Sequence, residues 1–192
     1  MLSSSCLEES LGKVAIVPVG EVEAEVLDFL RRALEEVFVL PFETGKGLDE
    51  LEFAYNPGRG QYHSTPILTR LSHLEGMKEF EKVLGVADVD LYVPRLNFVF
   101  GEALGLGGKF AVVSLTRLRQ EFYGLAPERE LFGQRALKEA VHELGHLYDL
   151  VHCDNPDCVM HFSNSLADTD RKGPSFCPGC RSRLKSSRTG QR

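Results

Sequence analysis

Apolar and polar positions alternate between two periods along this chain. Residues 13–20, apolar from Val14 to Val19, read as a buried first strand. Residues 21–36 switch to helical spacing, with Val22, Val26, Phe29, Leu30 and Ala33 on one face, and residues 37–42 return to an apolar strand. This β-α-β opening predicts a right-handed crossover and a largely parallel sheet. Residues 43–64 are a glycine-rich loop region, where Arg59 and His63 could meet a ligand, although a solvated turn accounts for both. Ser64, Thr65 and Pro66 signal a helix start, and the helix is expected to run to about Leu84, with a break near Gly76. His73 on that helix reads as a surface residue. Further strands are expected at 88–94, 97–104 and 110–115, the last two joined through the glycines of 105–108. Residues 117–123 read as a linker or short helix. Residues 128–151 read as a helix, with Leu131, Ala136, Leu137, Ala140, Val141, Leu144 and Leu147 at mostly helical spacing. Residues 185–192 are small, polar and basic, and read as a frayed tail.

Composition narrows the class. At 192 residues and 43% apolar, the chain can bury one proper core. A net charge of −6 argues against nucleic acid as a partner, and no apolar run is long enough to span a membrane. Residues 1–12 lack the basic and apolar regions of a signal peptide. A reducing cytoplasm is the natural compartment for the thiols, and Cys6, the odd one of five, reads as a free thiol. No Gly-x-Gly-x-x-Gly follows the first strand, which argues against a dinucleotide. Lys109 after Gly108 is followed by Phe110, so the glycines there suit a hairpin better than a phosphate loop.

The chemistry is concentrated downstream. His142-Glu143-Leu144-Gly145-His146 is an H-E-x-x-H, and His152, Cys153, Cys158, Cys177 and Cys180 follow. Those three histidines, the glutamate and the four cysteines lie within 39 residues and point to two metal ions, one for chemistry and one for structure. His142 and His146 are four apart, so they stack on one helix face and can chelate one ion. Glu143 sits one residue round, placed to serve a metal-bound water as general base. His152 cannot join them on a straight helix, because ten residues advance about 15 Å. The chain must therefore turn before it. Asp149 is one of the few residue types that tolerate the left-handed backbone of such a turn. Three residues after His146, it could instead be a ligand itself. Cys153 and Cys158, with Cys177 and Cys180, match a four-thiolate structural zinc site, the alternative being disulfides. Pro178 and Gly179 favour a tight turn inside the second pair. Since His152 and Cys153 are adjacent, that knuckle would fix where His152 points.

These spacings resemble the archaemetzincins, a family of metzincin-clan zinc peptidases, through His142, Glu143, His146, His152, Cys153, Cys158, Met160, Cys177 and Cys180. The resemblance implies an α/β (α+β by some schemes) zincin fold: a twisted mixed sheet with helices packed on it and an irregular C-terminal zinc knuckle. It implies a catalytic zinc on three histidines, Met160 as the Met-turn residue beneath it, and an edge strand above the cleft. Asn97, Phe98, Val99 and Phe100 are the candidates for that strand, which offers backbone groups to an extended peptide. Asp149 departs from the family's usual glycine. Phe162 stands where some metzincins carry an oxyanion-binding tyrosine, which leaves His161 as a substitute. The expected layout is residues 1–152 with the active-site helix, 153–184 with the Met-turn and cysteine site, and a tail at 185–192, in one compact domain. The function that follows is zinc-dependent peptide hydrolysis, as an endo- or aminopeptidase, by a cytoplasmic monomer. Its partner would be a peptide or protein substrate, with no nucleic acid and no membrane. A non-catalytic zinc-dependent adaptor and a zinc hydrolase of a non-peptide amide are the alternatives.

Overall fold

The computed structural model describes residues 12–190. The expectations for Cys6 and the N-terminal segment lie outside the described residues. In order, the chain forms β1 (Val14–Val19), α1 (Ala24–Phe38), β2 (Phe42–Thr44), β3 (Tyr55–Asn56), β4 (Gln61–His63) and α2 (Ser64–Ser72). It continues through β5 (Lys82–Ala87), β6 (Leu91–Tyr92), β7 (Gly101–Ala103) and β8 (Phe110–Ser114). Three helices close it: α3 (Arg129–Leu147), α4 (Leu166–Arg171) and α5 (Pro178–Arg188).

The main sheet has the order β2-β1-β5-β8-β7, parallel throughout except for β7, which runs antiparallel to β8 at the edge. A small second sheet has the order β3-β4-β6. Alternation along the central strands sorts side chains into two cores. Val14, Ile16, Leu84, Val86, Ala111 and Val113 pack with α1 and α3. Ala15, Val17, Val83 and Val112 pack with Ile67, Leu68 and Leu71 of α2. The sheet is thus buried on both faces, which is why its strands read as continuous apolar runs.

That same continuity misleads a reading by period alone. The helix expected to reach Leu84 stops at Ser72; a short 3-10 turn, Met77–Glu79, intervenes, and β5 follows as the middle strand. A short apolar run such as Val83–Ala87 fits helix or buried strand by period alone, and the neighbours β1 and β8 decide it. The strand expected at 37–42 is corrected too. α1 continues through Phe38, Val39 closes it with φ 53°, and β2 starts at Phe42. Of residues 88–94, only Leu91 and Tyr92 are strand, and they belong to the small sheet. Of residues 97–104, only Gly101–Ala103 are strand; Val99 makes a lone bridge to Leu91. The tail is helical rather than frayed as far as Arg188, whose Nη1 donates to the Phe38 carbonyl at 2.7 Å. Among the described residues, no helix is long and apolar enough to cross a membrane.

Candidate active site and metal centres

α3 carries the first two histidines, and its C-terminus brings back the third. Leu147 is the last helical residue; the Tyr148 and Leu150 amides both donate to the Gly145 carbonyl at 3.0 Å. Asp149 then takes φ 63°, the left-handed turn that reverses the chain. The helix is therefore shorter than the expected 128–151, and the shortening is what returns His152 to His142 and His146. The three rings lie 4.7–5.3 Å apart between centroids. Their candidate ligand nitrogens all lie within 4.8 Å of one another. Asp149 is not in this group. Its carboxylate accepts from Ser187 Oγ at 3.3 Å on α5 and lies against Gly107 of the β7–β8 hairpin.

Backbone carbonyls orient two of the rings. His142 Nδ1 donates to Val159 O at 2.9 Å, and His146 Nδ1 donates to Leu150 O at 2.7 Å. Each ring is left with its Nε2 lone pair, and the two Nε2 atoms face each other at 3.1 Å. A tetrahedral zinc holding nitrogens at about 2.0–2.1 Å would set them about 3.3 Å apart. Burial holds His142 well below the usual imidazole range, helped by the charges of Lys172 and His146. Burial also lowers His146 and His152. Neutral imidazoles are what a metal needs, so the donor set fits a catalytic zinc.

Glu143 lines a cleft of about 230 Å³. One wall is residues 96–101, α3 supplies Glu139, His142 and Glu143, and the far wall is Phe162, Ser163 and Asn164. Burial raises the Glu143 carboxyl well above its ordinary range; Glu139 reinforces this and Lys172 opposes it. Asn97, Phe98, Val99 and Phe100 thus flank the cleft, but as the segment leading into edge strand β7 rather than as the strand itself.

Two glycines that the sequence reading did not single out make this geometry possible. A Cβ on Gly101 would lie 2.5 Å from Glu143 Cγ, and one on Gly145 would lie 2.4 Å from Met160 Sδ. Met160, fully buried, therefore packs directly against the histidine-bearing helix. A glycine inside H-E-L-G-H was a visible signal for the second contact. The first depends on two remote segments meeting, and nothing local announced it. The Lys172–Glu139 pair was equally silent. It is fully buried at 3.1 Å, and Thr169 Oγ1 donates to the same carboxylate oxygen at 2.8 Å. With Arg135 on Asp170 at 2.6 and 2.7 Å, it ties α4 and the segment after it to α3.

Of the other histidines, His161 donates from Nδ1 to Cys153 O at 2.8 Å and is not among the cleft-lining residues. His63 stacks on Tyr92 at 5.1 Å, and His73 pairs with Thr69 O. Phe162 packs on the His152 ring at 4.7 Å.

The four cysteines form the second cluster. Cys153, Cys158, Cys177 and Cys180 are free thiols, with all four sulfurs within 4.8 Å. Cys153 and Cys177 sulfurs are 3.8 Å apart, the edge length of a tetrahedron with metal–sulfur bonds of about 2.3 Å. Cys177 caps α5 and Pro178 opens its first turn, so the second pair sits on a helix start. There the Cys180 amide pulls the Cys177 thiol down to about 7, while burial pushes Cys158 and Cys180 up. A site of four clustered sulfurs suits a structural zinc.

The description "Peptidase family M54" matches residues 16–186. The chain belongs to this family. It is a zinc metallopeptidase family, and several archaemetzincins are similar to this chain over most of their length. The archaemetzincin of Methanocaldococcus jannaschii is 48% identical over 173 residues, 90% of this chain and 93% of that protein. The crystal structure of archaemetzincin from Methanopyrus kandleri matches with a TM-score of 0.81 at 37% identity, covering 94% of this chain and 97% of that one. A zinc-dependent peptidase from Methanocorpusculum labreanum matches with a TM-score of 0.80 at 32% identity, covering 89% and 99%. The mixed α/β fold that the archaemetzincin resemblance implied is therefore the fold of this chain.

Proposed function

We propose that the chain hydrolyses peptide bonds, with a catalytic zinc on His142, His146 and His152, a structural zinc on the four cysteines, and Glu143 as general base. The observation that carries this reading is the clustering of the three imidazoles next to a cleft that His142 and the buried Glu143 carboxylate line together. When bound, zinc supplies Lewis acidity toward the carbonyl and makes water a nucleophile near neutral pH. Glu143 accepts the proton of the attacking water and returns it to the departing amine. Burial raises its proton affinity, which makes it a stronger base toward the water than an exposed carboxylate.

The substrate backbone aligns along β7. Leu104 N donates to Phe110 O and Ser114 N donates to Phe100 O, so even-numbered residues of this edge face β8. The N–H and carbonyl of Gly101 and the N–H of Ala103 therefore point outward, where an extended peptide can add a strand. The closed site at the cysteines holds Cys153, and through it the neighbouring His152. The reading covers an endo- or an aminopeptidase.

Glu143→Gln tests it. The variant keeps shape and loses the base. We expect zinc content unchanged and turnover of a cleaved peptide lowered on the order of a hundred- to ten-thousand-fold. Unchanged turnover would defeat the mechanism. Cleavage of amide substrates other than peptides, with none of peptides, would favour a non-peptide hydrolase. Retained peptide binding without turnover in the parent protein would favour an adaptor.

A further inference from the structure

In the cleft wall at residues 96–100, Phe100 is tied to the main sheet through Ser114 N, and the segment before it is not part of that sheet. That segment is held from outside by an arginine at the tip of the small sheet. Asn56 Oδ1 accepts from Gly58 N, Asn56 O accepts from Arg59 N and Gly60 N, and Gly60 takes φ 66°. This tight β3–β4 turn projects Arg59. Its guanidinium lies over the Tyr92 ring at 4.3 Å, and its Nε donates to Gln61 Oε1 at 2.8 Å. Its Nη2 donates to both Leu96 O and Asn97 O, each at 2.9 Å.

The contact is reinforced on the same carbonyl. Gln61 Nε2 donates to Asn97 O at 2.9 Å and to Asp90 Oδ2 at 3.0 Å. Asp90 is gripped by Arg117 at 2.6 and 2.8 Å, and the Arg117 guanidinium lies over the ring of Phe98 at 4.3 Å. The held segment needs holding. Arg95, just before it, has φ 77°, a backbone that a non-glycine residue adopts only under constraint. Leu96, Asn97 and Phe98 then face His142 and Glu143 across the cleft.

We propose that Arg59 is a positioning residue for substrate binding: by anchoring the Leu96 and Asn97 carbonyls from outside, it sets the width of the cleft opposite the histidine cluster. The proposal rests on the peptidase reading of that cleft. Arg59 acts on the wall and not on the reacting atoms, so it affects binding of substrate and transition state alike. Such uniform loss raises KM and leaves kcat. A lysine cannot replace it, because one ammonium has neither the planar face for Tyr92 nor the fork that reaches Gln61 and two carbonyls together.

The test compares parent, Arg59→Ala and Arg59→Lys, all zinc-loaded. Arg59 is exposed, so neither variant opens the core. Two measurements are made. Amide hydrogen exchange is followed at 96–100, where Val99 N donates to Leu91 O at 2.9 Å. Steady-state hydrolysis is followed with a peptide that the parent cleaves. In Arg59→Ala the Val99 amide should exchange faster, KM should rise on the order of tenfold, and kcat should stay within about twofold. Arg59→Lys should recover little of either. Unchanged exchange in Arg59→Ala would overturn the anchoring. Faster exchange with unchanged KM would overturn the positioning role and leave the peptidase reading intact, and so would full rescue by lysine. A parent that cleaves no peptide would sink the peptidase reading instead. Affinity for a peptide hydroxamate then decides the positioning claim: weaker binding to Arg59→Ala supports it, and equal binding overturns it.

Discussion

Gly101 and Glu143, 42 positions apart (143 − 101), are in direct contact: a Cβ built on the glycine would lie 2.5 Å from Cγ and 2.6 Å from Oε1 of the glutamate. The edge strand that would receive substrate thus lies directly on the group that would activate water. Gly101→Ala should push the carboxylate out of place without touching a metal ligand. Turnover should fall at least tenfold, with zinc content retained, and overpacking should cost about 1–3 kcal/mol of stability. Denaturation and metal analysis on the same preparation check both halves. Full activity would mean that Glu143 need not stand where it does.

Asp149 turns the chain at φ 63° between His146 and His152. If the turn is its main role, Asp149→Gly should keep catalytic zinc affinity or improve it, because glycine reaches this backbone without strain. Asp149→Ala should be less stable than Asp149→Gly by about 1 kcal/mol. His152→Ala should weaken zinc binding. Competition with a chromophoric chelator reads the affinities; loss of zinc in Asp149→Gly with retention in His152→Ala would make the aspartate the ligand.

Two zinc ions per chain should leave in order under graded chelation. An ion on three imidazoles would be in an open site and should go first; an ion on four thiolates should go last. Elemental analysis after each step would show this. Cys177→Ser should lose the late ion and the order of α5. A single ion at every stage would refute the pairing of sites.

The buried Glu143 and His142 predict opposite pH effects once the catalytic zinc is stripped and the cysteine site left loaded. Glu143 is raised above 4.5 in the folded chain, so its contribution is fully present below that value and is lost as pH rises through the raised one. His142 is lowered below 6.5, so its contribution is present above 6.5 and is lost as pH falls toward the depressed value. Glu143→Gln should therefore stabilise this form at neutral pH, with the gain shrinking as pH falls toward 4.5. Urea unfolding across that range measures it. A gain independent of pH would assign the effect to packing.

The residues between 142 and 180 announce themselves because their chemistry is local. Histidines four apart share a helix face by the helical period alone, and a third histidine ten residues on demands a turn whatever surrounds it. Asp149, among the few residues able to make that turn, has the backbone the turn requires. Two cysteine pairs at knuckle spacing are likewise a short-range pattern, and the alternating apolar periods placed β1, α1, β8 and α3 within a few residues.

Long-range pairing decided the rest. β5 is a strand because β1 and β8 flank it, and no property of residues 82–87 distinguishes it from a buried helix turn. The shortness of β7 follows from Val99 pairing with Leu91 rather than with the main sheet. Lys172 and Glu139 become an ion pair, and Arg59 reaches Leu96 and Asn97, only after segments more than thirty residues apart have docked. Periodicity and spacing report which face a residue presents. Which partner meets that face is set by the packing of whole elements, and so the cleft walls and the supports of Glu143 emerge only in three dimensions.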